Sequence, residues 1–304
     1  MGMQVYMAAT VGNNFVRSGR IAARLDDFEL KCMDSVEHML ESYHYVGKQT
    51  MVDKMRYENR KFFLDSGAFS AFTQGVEIDL KEFCRYIERN SDLWCCVSVL
   101  DAIGDYKGTY HNQRKMEAEL PRDLWPLPCY HYGEPVEVLK HYIDNYAYIT
   151  IGGMVPISTA QLTIWLDEIW PIICDPHGVP RVKVHGFGLT SLPLMLRYPW
   201  FSVDSSSWIM FGNNGMILLP GAGRAVNVSS KSGRRKDADA HIDTFAPIVR
   251  DALEAEIRKE GGDPQRLRDL YYSRWAWNAW AIPEYVKRRG GGLTKFVQVQ
   301  EGLF

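Results

Sequence analysis

Three aspartates stand directly after short apolar runs: Asp65 after FFL, Asp101 after VSVL and Asp204 after FSV. His131 follows PCY, Gly152 and Gly153 follow ITI, and His185 with Gly186 follows VKV. In barrels of alternating strands and helices, functional groups gather at the C-terminal ends of the strands. Two carboxylates across a cleft suit reaction at a glycosidic carbon. One attacks or stabilises the cationic sugar carbon, and the other moves a proton to or from the leaving group. The same residue types also suit metal binding or aldol chemistry, and at this level the three stay open. Each residue has a plainer reading as well. A lone Asp after a strand caps a helix or makes a turn, Asp-Ser-Gly is a good turn, and His131 could be a satisfied core histidine. Three aspartates at three strand ends weaken that plainer reading jointly, though capping still competes.

The elements that must position these groups can be read from short apolar segments. They are MQVYMAAT (3–10), KFFLDSG (61–67), WCCVSVLDAIG (94–104), PLPCYHYG (126–133), YITIGGM (148–154), RVKVHGFG (181–188), WFSVDSSSW (200–208) and GMILLPG (215–221). They are short and not strictly alternating, as strands buried on both faces are. Helical patterns lie between several of them, at 79–92, 134–145, 158–170 and 191–199. Strands alternating with helices argue for a parallel sheet. Eight candidate strands favour a closed (β/α)₈ barrel over an open doubly wound sheet. No G-x-G-x-x-G follows the first strand, which weakens a dinucleotide-binding reading. Residues 237–289 are predicted helical, so the expectation is one TIM-barrel domain over 1–304 with a helical C-terminal extension over 237–304.

Composition sets bounds. The chain has 304 residues, is 46% hydrophobic and carries a net charge of −2. A sizeable core is available, and no run of 18 apolar residues predicts a membrane span. No signal peptide is read at the N-terminus, which makes the expected location cytoplasmic, or the host cytoplasm if the chain is phage-encoded. The six cysteines form no C-x-x-C pair, so reduced thiols are expected. The charge neither requires nor excludes a nucleic-acid partner, because a local patch would suffice; SKSGRRK at 230–236 supplies one.

Taken in order, the strand ends resemble those of the tRNA-guanine transglycosylase superfamily. DSGAFS at 65–70 is similar to its D-S-G-G-F-Q, and VLDAIGD at 99–105 takes the place of its base-reading aspartate. CYHYGEPVEVL is similar to its V-Q-G-G segment, and ITIGGMV at 149–155 to its I-G-G-L-A. VKVHGFGLTSLPLMLRYPWFSVDSSSW resembles the stretch from L-M-G-V-G-T-P to the nucleophile segment F-D-C. GNNGMILLPGAGRAVNVSS is similar to the following hairpin, and RDLYYSRWAWNAWAIPEYVKRR to the terminal helix. Each motif is weak alone; their shared order over roughly 60–290 makes the match specific.

The resemblance implies that Asp204 is the nucleophile at C1′ of a guanosine unit, and Asp65 the general acid/base. It implies that Asp101 reads the base's amidine edge, while Ser66, His131, Gly152 and Gly153 help hold the heterocycle. Phe69 and His185 would stack on its faces. His131 stands where the family usually has Gln. The family's C-x-C-x-x-C plus His zinc site is missing: KSGRRKDADAHIDTFAP holds no cysteine, and His241 alone cannot build such a site. No metal and no cofactor are therefore expected. The implied partners are a 7-deazaguanine base of the preQ0 or preQ1 type and a nucleic acid. DNA is favoured over tRNA because the missing zinc subdomain is one that helps the family grip tRNA, and because the chain is most similar to the phage-type DpdA DNA transglycosylases. A tRNA enzyme without zinc and a non-catalytic nucleic-acid-binding paralogue are the alternatives. Arg224, Lys231, Arg234, Arg235 and Lys236 are candidates for phosphate contacts, and a homodimer is left open.

Overall fold

Short apolar runs separated by capped helices fold into one parallel sheet. A computed structural model describes residues 2–189, 191–237 and 240–297. Thr190, Ala238 and Asp239, which belong to the motifs quoted above, and residues 298–304 of the expected extension lie outside the described residues. The described chain divides into two units. One comprises the residues up to Gly12, His38–Ser205 and those from Gly290 onward; the other comprises Asn13–Glu37 and Ser206–Arg289.

The first unit carries β1 (Gln4–Ala8), β2 (His38–Ser42), β3 (Phe62–Asp65), β4 (Trp94–Val97), β5 (Cys129–His131), β6 (Tyr148–Gly152), β7 (Lys183–Gly186) and β8 (Ser202–Ser205). Their order is β4-β3-β2-β1-β8-β7-β6-β5, and every ladder is parallel. The edges β4 and β5 form no ladder with each other. Just past β4, Ser98 makes an isolated parallel bridge to Leu127. There Leu127 N–H donates to Val97 O at 2.7 Å and Val99 N–H to Leu127 O at 3.1 Å. The sheet is thus a curled, open, eight-stranded parallel sheet. Helices follow most strands and start where the sequence caps them. Asp79 accepts from Glu82 N–H ahead of Leu80–Arg89, and Ser158 and Gln161 form a capping box ahead of Thr159–Ile173.

One sheet strand departs from the expected set. GMILLPG does not join the sheet; it forms β9 (Met216–Leu219), which pairs antiparallel with β10 (Arg224–Asn227) in the second unit. The strand that fills its place is β2, HMLES, in which Met39 and Leu40 are followed by Glu41, so that it lacks an apolar run. The helical extension is also shorter than expected. The described part of 237–246 holds only a 3-10 turn, Ile242–Thr244, and regular helix begins at Pro247. His241 holds that stretch in place: its ring binds the Ser229 carbonyl at 3.0 Å and accepts from Asp243 N–H. Proline then suits the first helical turn.

Within the second unit, helix Tyr271–Arg288 packs on helix Ser207–Asn213 and on β9. Asn278 brackets β9, accepting from Leu218 N–H at 2.8 Å and donating to Met216 O at 2.9 Å. Trp277 donates to Leu218 O, and Trp275 to Asn213 Oδ1. Both indoles are buried with their N–H groups satisfied, so they are core residues. No described helix is long and apolar enough to cross a membrane.

Candidate active site

Alternation along a strand sends residues i and i+2 to one side of the sheet. Ala8 of β1, Leu40 and Ser42 of β2, Asp65 of β3, Cys129 and His131 of β5, Gly152 of β6 and Asp204 of β8 all line one cavity of about 840 Å³. Asp101, Phe69, Gly153, Phe187 and Gly188 complete much of its wall. The three aspartates picked out by sequence therefore share one chamber, as do His131, the glycine pair and Phe69.

Asp204 is nearly buried and is held through one oxygen. Its Oδ1 accepts from Gly188 N–H at 2.8 Å and lies 3.3 Å from His185 Nε2. His185 Nδ1 in turn lies 2.7 Å from Ser202 Oγ, which lies 2.6 Å from Tyr148 Oη. The chain is self-consistent with one proton assignment. Tyr148 donates to Ser202, Ser202 to His185 Nδ1, and Nε2–H to Asp204. It fixes the imidazole tautomer and leaves Oδ2 of Asp204 with no protein donor among the described residues.

Asp65 is held differently. Oδ2 accepts from Ser42 Oγ at 2.8 Å and from Gly67 N–H at 2.9 Å, while Ser98 Oγ lies 3.3 Å from Oδ1. Burial lifts its pKa from the ordinary 3.8 to about 6. The Ser42 hydroxyl opposes this shift, and the nearby Asp101 and Asp204 carboxylates add to it. Gly67 is left-handed (φ 74°), which lets the chain fold back so that its N–H reaches Asp65.

His131 sits between two carboxylates, with Nδ1 2.8 Å from Glu134 Oε1 and Nε2 3.4 Å from Asp101 Oδ2. Burial works against the imidazolium, but Cys129, Asp101 and Glu134 outweigh it and raise the pKa. Gly152 and Gly153 are glycines for a local reason. A Cβ on Gly152 would meet Cys129 Sγ at 2.9 Å; Gly153 has φ 68°, and a Cβ there would meet Tyr132 N at 3.0 Å. The close approach of β5 and the turn after it accounts for the missing side chains.

Two of the sequence-selected residues sit away from the cavity. Ser66 is fully buried; its hydroxyl accepts from Ala68 N–H, and its own N–H donates to Ser98 Oγ. It supports the turn after β3 and does not reach a ligand, as its alternation with Asp65 requires. His185 is fully buried beneath Asp204, packed on Phe63 and Phe187 with ring centroids 4.7 Å away. It cannot stack on a base in the cavity, and its place is to orient Asp204. Phe69 is 56% exposed at the cavity wall and remains available for stacking.

The basic candidates all lie in the second unit and are exposed. Arg234 pairs with Asp237 at 3.3 Å and Arg235 with Asp243 at 2.7 Å, so both are partly neutralised. Arg224, Lys231 and Lys236 have no carboxylate within ion-pair distance among the described residues.

Sequence reasoning passed over Ser42, Ser98, Ser202, Tyr148, Cys129, Gly188 and Glu41. The period of two would have found Ser202 from Asp204 and Cys129 from His131. Glu41 is buried on the other face of β2 from Leu40 and Ser42. It accepts from Thr10 Oγ1 at 2.9 Å and from Val11 N–H at 2.7 Å. Burial lifts its pKa to about 7 against those donors.

Compared with protein-family models and with curated proteins, the chain matches none.

Proposed function

We propose that this chain is a base-exchange transglycosylase that replaces guanine in nucleic acid, DNA before tRNA, with a 7-deazaguanine. The observation that carries the reading is the pair Asp65 and Asp204: two carboxylates lining one cavity, held in two different ways. Environments that treat two acids differently suit them to different roles. Asp204 Oδ2 attacks C1′ while the C1′–N9 bond breaks, and the departing guanine takes the Asp65 proton. The glycosyl-aspartate ester then reacts in reverse: N9 of the incoming deazaguanine bonds to C1′, its proton passes to Asp65, and Asp204 leaves. Two inversions give retention. A pKa near 6 lets Asp65 serve as acid and then as base. A cavity of about 840 Å³ is ample for a base and its sugar. In a duplex the target carbon is shielded, so a flipped or single-stranded nucleotide is the substrate.

The resemblance of the ordered strand-end motifs supports the same reading. The missing cysteines of 231–247 favour DNA. We further infer that the curled sheet closes as a (β/α)₈ barrel through the Ser98–Leu127 bridge. Incubation of the chain with DNA or tRNA and 7-cyano- or 7-aminomethyl-7-deazaguanine, followed by nucleoside analysis, tests the function. Incorporation into DNA is expected. Incorporation into tRNA alone would assign the polymer to tRNA, and none into either would leave a non-catalytic binder.

A further inference from the structure

The transglycosylase reading leaves one wall of the cavity with more chemistry than it uses. Cys129 is buried at the base of that wall, two residues before His131 and on the same side of β5. Asp101, Cys129 and His131 each present one ligand atom, and these atoms all lie within 4.8 Å of one another. The imidazole is already oriented as a ligand would be. Its Nδ1 is held by Glu134 at 2.8 Å, and its Nε2 faces Asp101 at 3.4 Å. A carboxylate on the outer nitrogen is the usual support of a metal-bound histidine. Asp101 Oδ1 and Glu134 Oε2 are buried without a hydrogen-bond partner. Buried carboxylate oxygens are costly in that state. Two carboxylates around His131 would be served by a proton on the ring as well as by a cation. A protonated ring, however, still leaves Asp101 Oδ1 without a partner, whereas a metal draws on Asp101, Cys129 and His131 together.

We propose that Asp101, Cys129 and His131 form a three-ligand site for a zinc-class divalent ion, with Glu134 as its outer support. Sulfur, nitrogen and oxygen donors together select zinc or cobalt over magnesium or calcium. All three ligands line the cavity, so the fourth position opens into it. This goes beyond the transglycosylase reading, and under both, a base edge meets Asp101 and His131 through the ion.

The test needs no nucleic acid, so its failure is separate from failure of base exchange. The purified chain is stripped with a chelator, loaded with Co²⁺ and followed by absorption, and zinc is counted by elemental analysis. One ion per chain is expected, with the visible bands of a four-coordinate ion and a near-ultraviolet thiolate-to-cobalt band. Cys129→Ser should abolish the thiolate band, while Cys95→Ser and Cys174→Ser should keep it. Glu134→Gln should weaken zinc binding by at least about tenfold. Absence of cobalt binding by the unsubstituted chain overturns the proposal, whatever the variants do. So does a thiolate band that survives in Cys129→Ser, or zinc affinity unchanged in both Glu134→Gln and His131→Ala.

Discussion

Replacing Asp65 by Asn should stabilise the chain and, under the proposed function, abolish base exchange. Folding moves the Asp65 pKa from 3.8 to about 6, chiefly through burial. At about 1.4 kcal/mol per pKa unit, keeping that carboxylate ionised in the folded state costs about 3 kcal/mol. The sign follows from proton binding. Below pH 3.8 the group is protonated in folded and unfolded chains alike, and the stability is fully present. It is lost as the pH rises through about 6, where the unfolded chain has released its proton and the folded chain follows. Asn keeps the shape without the charge. Its oxygen can accept from Ser42 and Gly67, and its amide can face Ser98 Oγ. Allowing for one imperfect hydrogen bond, Asp65→Asn should be more stable than the parent by about 2 to 3 kcal/mol at pH 8. At pH 5 the gain should shrink to roughly half. Urea denaturation of both proteins at the two pH values measures it. A gain under about 1 kcal/mol at pH 8, or an equal gain at both pH values, would refute the argument that Asp65 is held against its own ionisation.

Four further outcomes are expected. If Asp65 is acid first and base second, guanine release in a single turnover should fall as the pH rises through about 6. Attack by the deazaguanine on the isolated intermediate should rise through the same value, and parallel profiles would contradict the shared role. Glu41→Leu should destabilise by at least about 3 kcal/mol, because Thr10 Oγ1 and Val11 N–H lose their acceptor, whereas Glu41→Gln should be neutral or stabilising at pH 8; thermal melts separate the two. Gly153→Ala should cost about 1–2 kcal/mol in urea melts, from the left-handed backbone and the contact with Tyr132 N. His185→Phe removes the donor to Asp204 and the acceptor of the buried Ser202 hydroxyl; exchange should fall by about 10²-fold, with a stability loss of about 1–3 kcal/mol in urea melts.

The sheet was largely legible because its strands are short, apolar and punctuated. The exceptions have physical causes. β2 carries Glu41 directly after Leu40, and a charged residue inside a strand erases the apolar run by which strands are read. That glutamate is tolerated because the chain at Thr10–Gly12 wraps its carboxylate with donors, a long-range arrangement that no local pattern announces. GMILLPG reads as a sheet strand because burial on both faces looks the same wherever it occurs. It obtains that burial from Asn278 and Trp277 rather than from parallel neighbours. For the site, strand ends located the aspartates but not their facing. Ser66 looked like a ligand because it follows Asp65, yet alternation turns it into the body of the protein. His185 looked like a stacking ring because it stands near a strand end, yet Phe187 and Gly188 are the residues at the cavity wall, and His185 lies below.

The polar chain from Tyr148 to Asp204 bears on why a sheet interior would forgo apolar packing. Tyr148, Ser202 and His185 occupy positions where Val or Ile would bury more readily, and each polar atom there must find a partner or cost about 1–3 kcal/mol. Every link does find one, so the chain is tolerated rather than strongly stabilising. What it adds is direction. An aspartate at a strand end with only solvent around it rotates about two torsions. Here Gly188 and His185 both take the same oxygen, and His185 is itself held by Ser202. The second oxygen is thereby aimed at the cavity. Asp65 has no such chain; beside the Gly67 N–H, the hydroxyls of Ser42 and Ser98 flank it and can turn as its proton comes and goes. Under the proposed function, a carboxylate held by His and Gly opposite one met by Ser hydroxyls suits a fixed nucleophile and an adaptable proton carrier in a double displacement at one carbon.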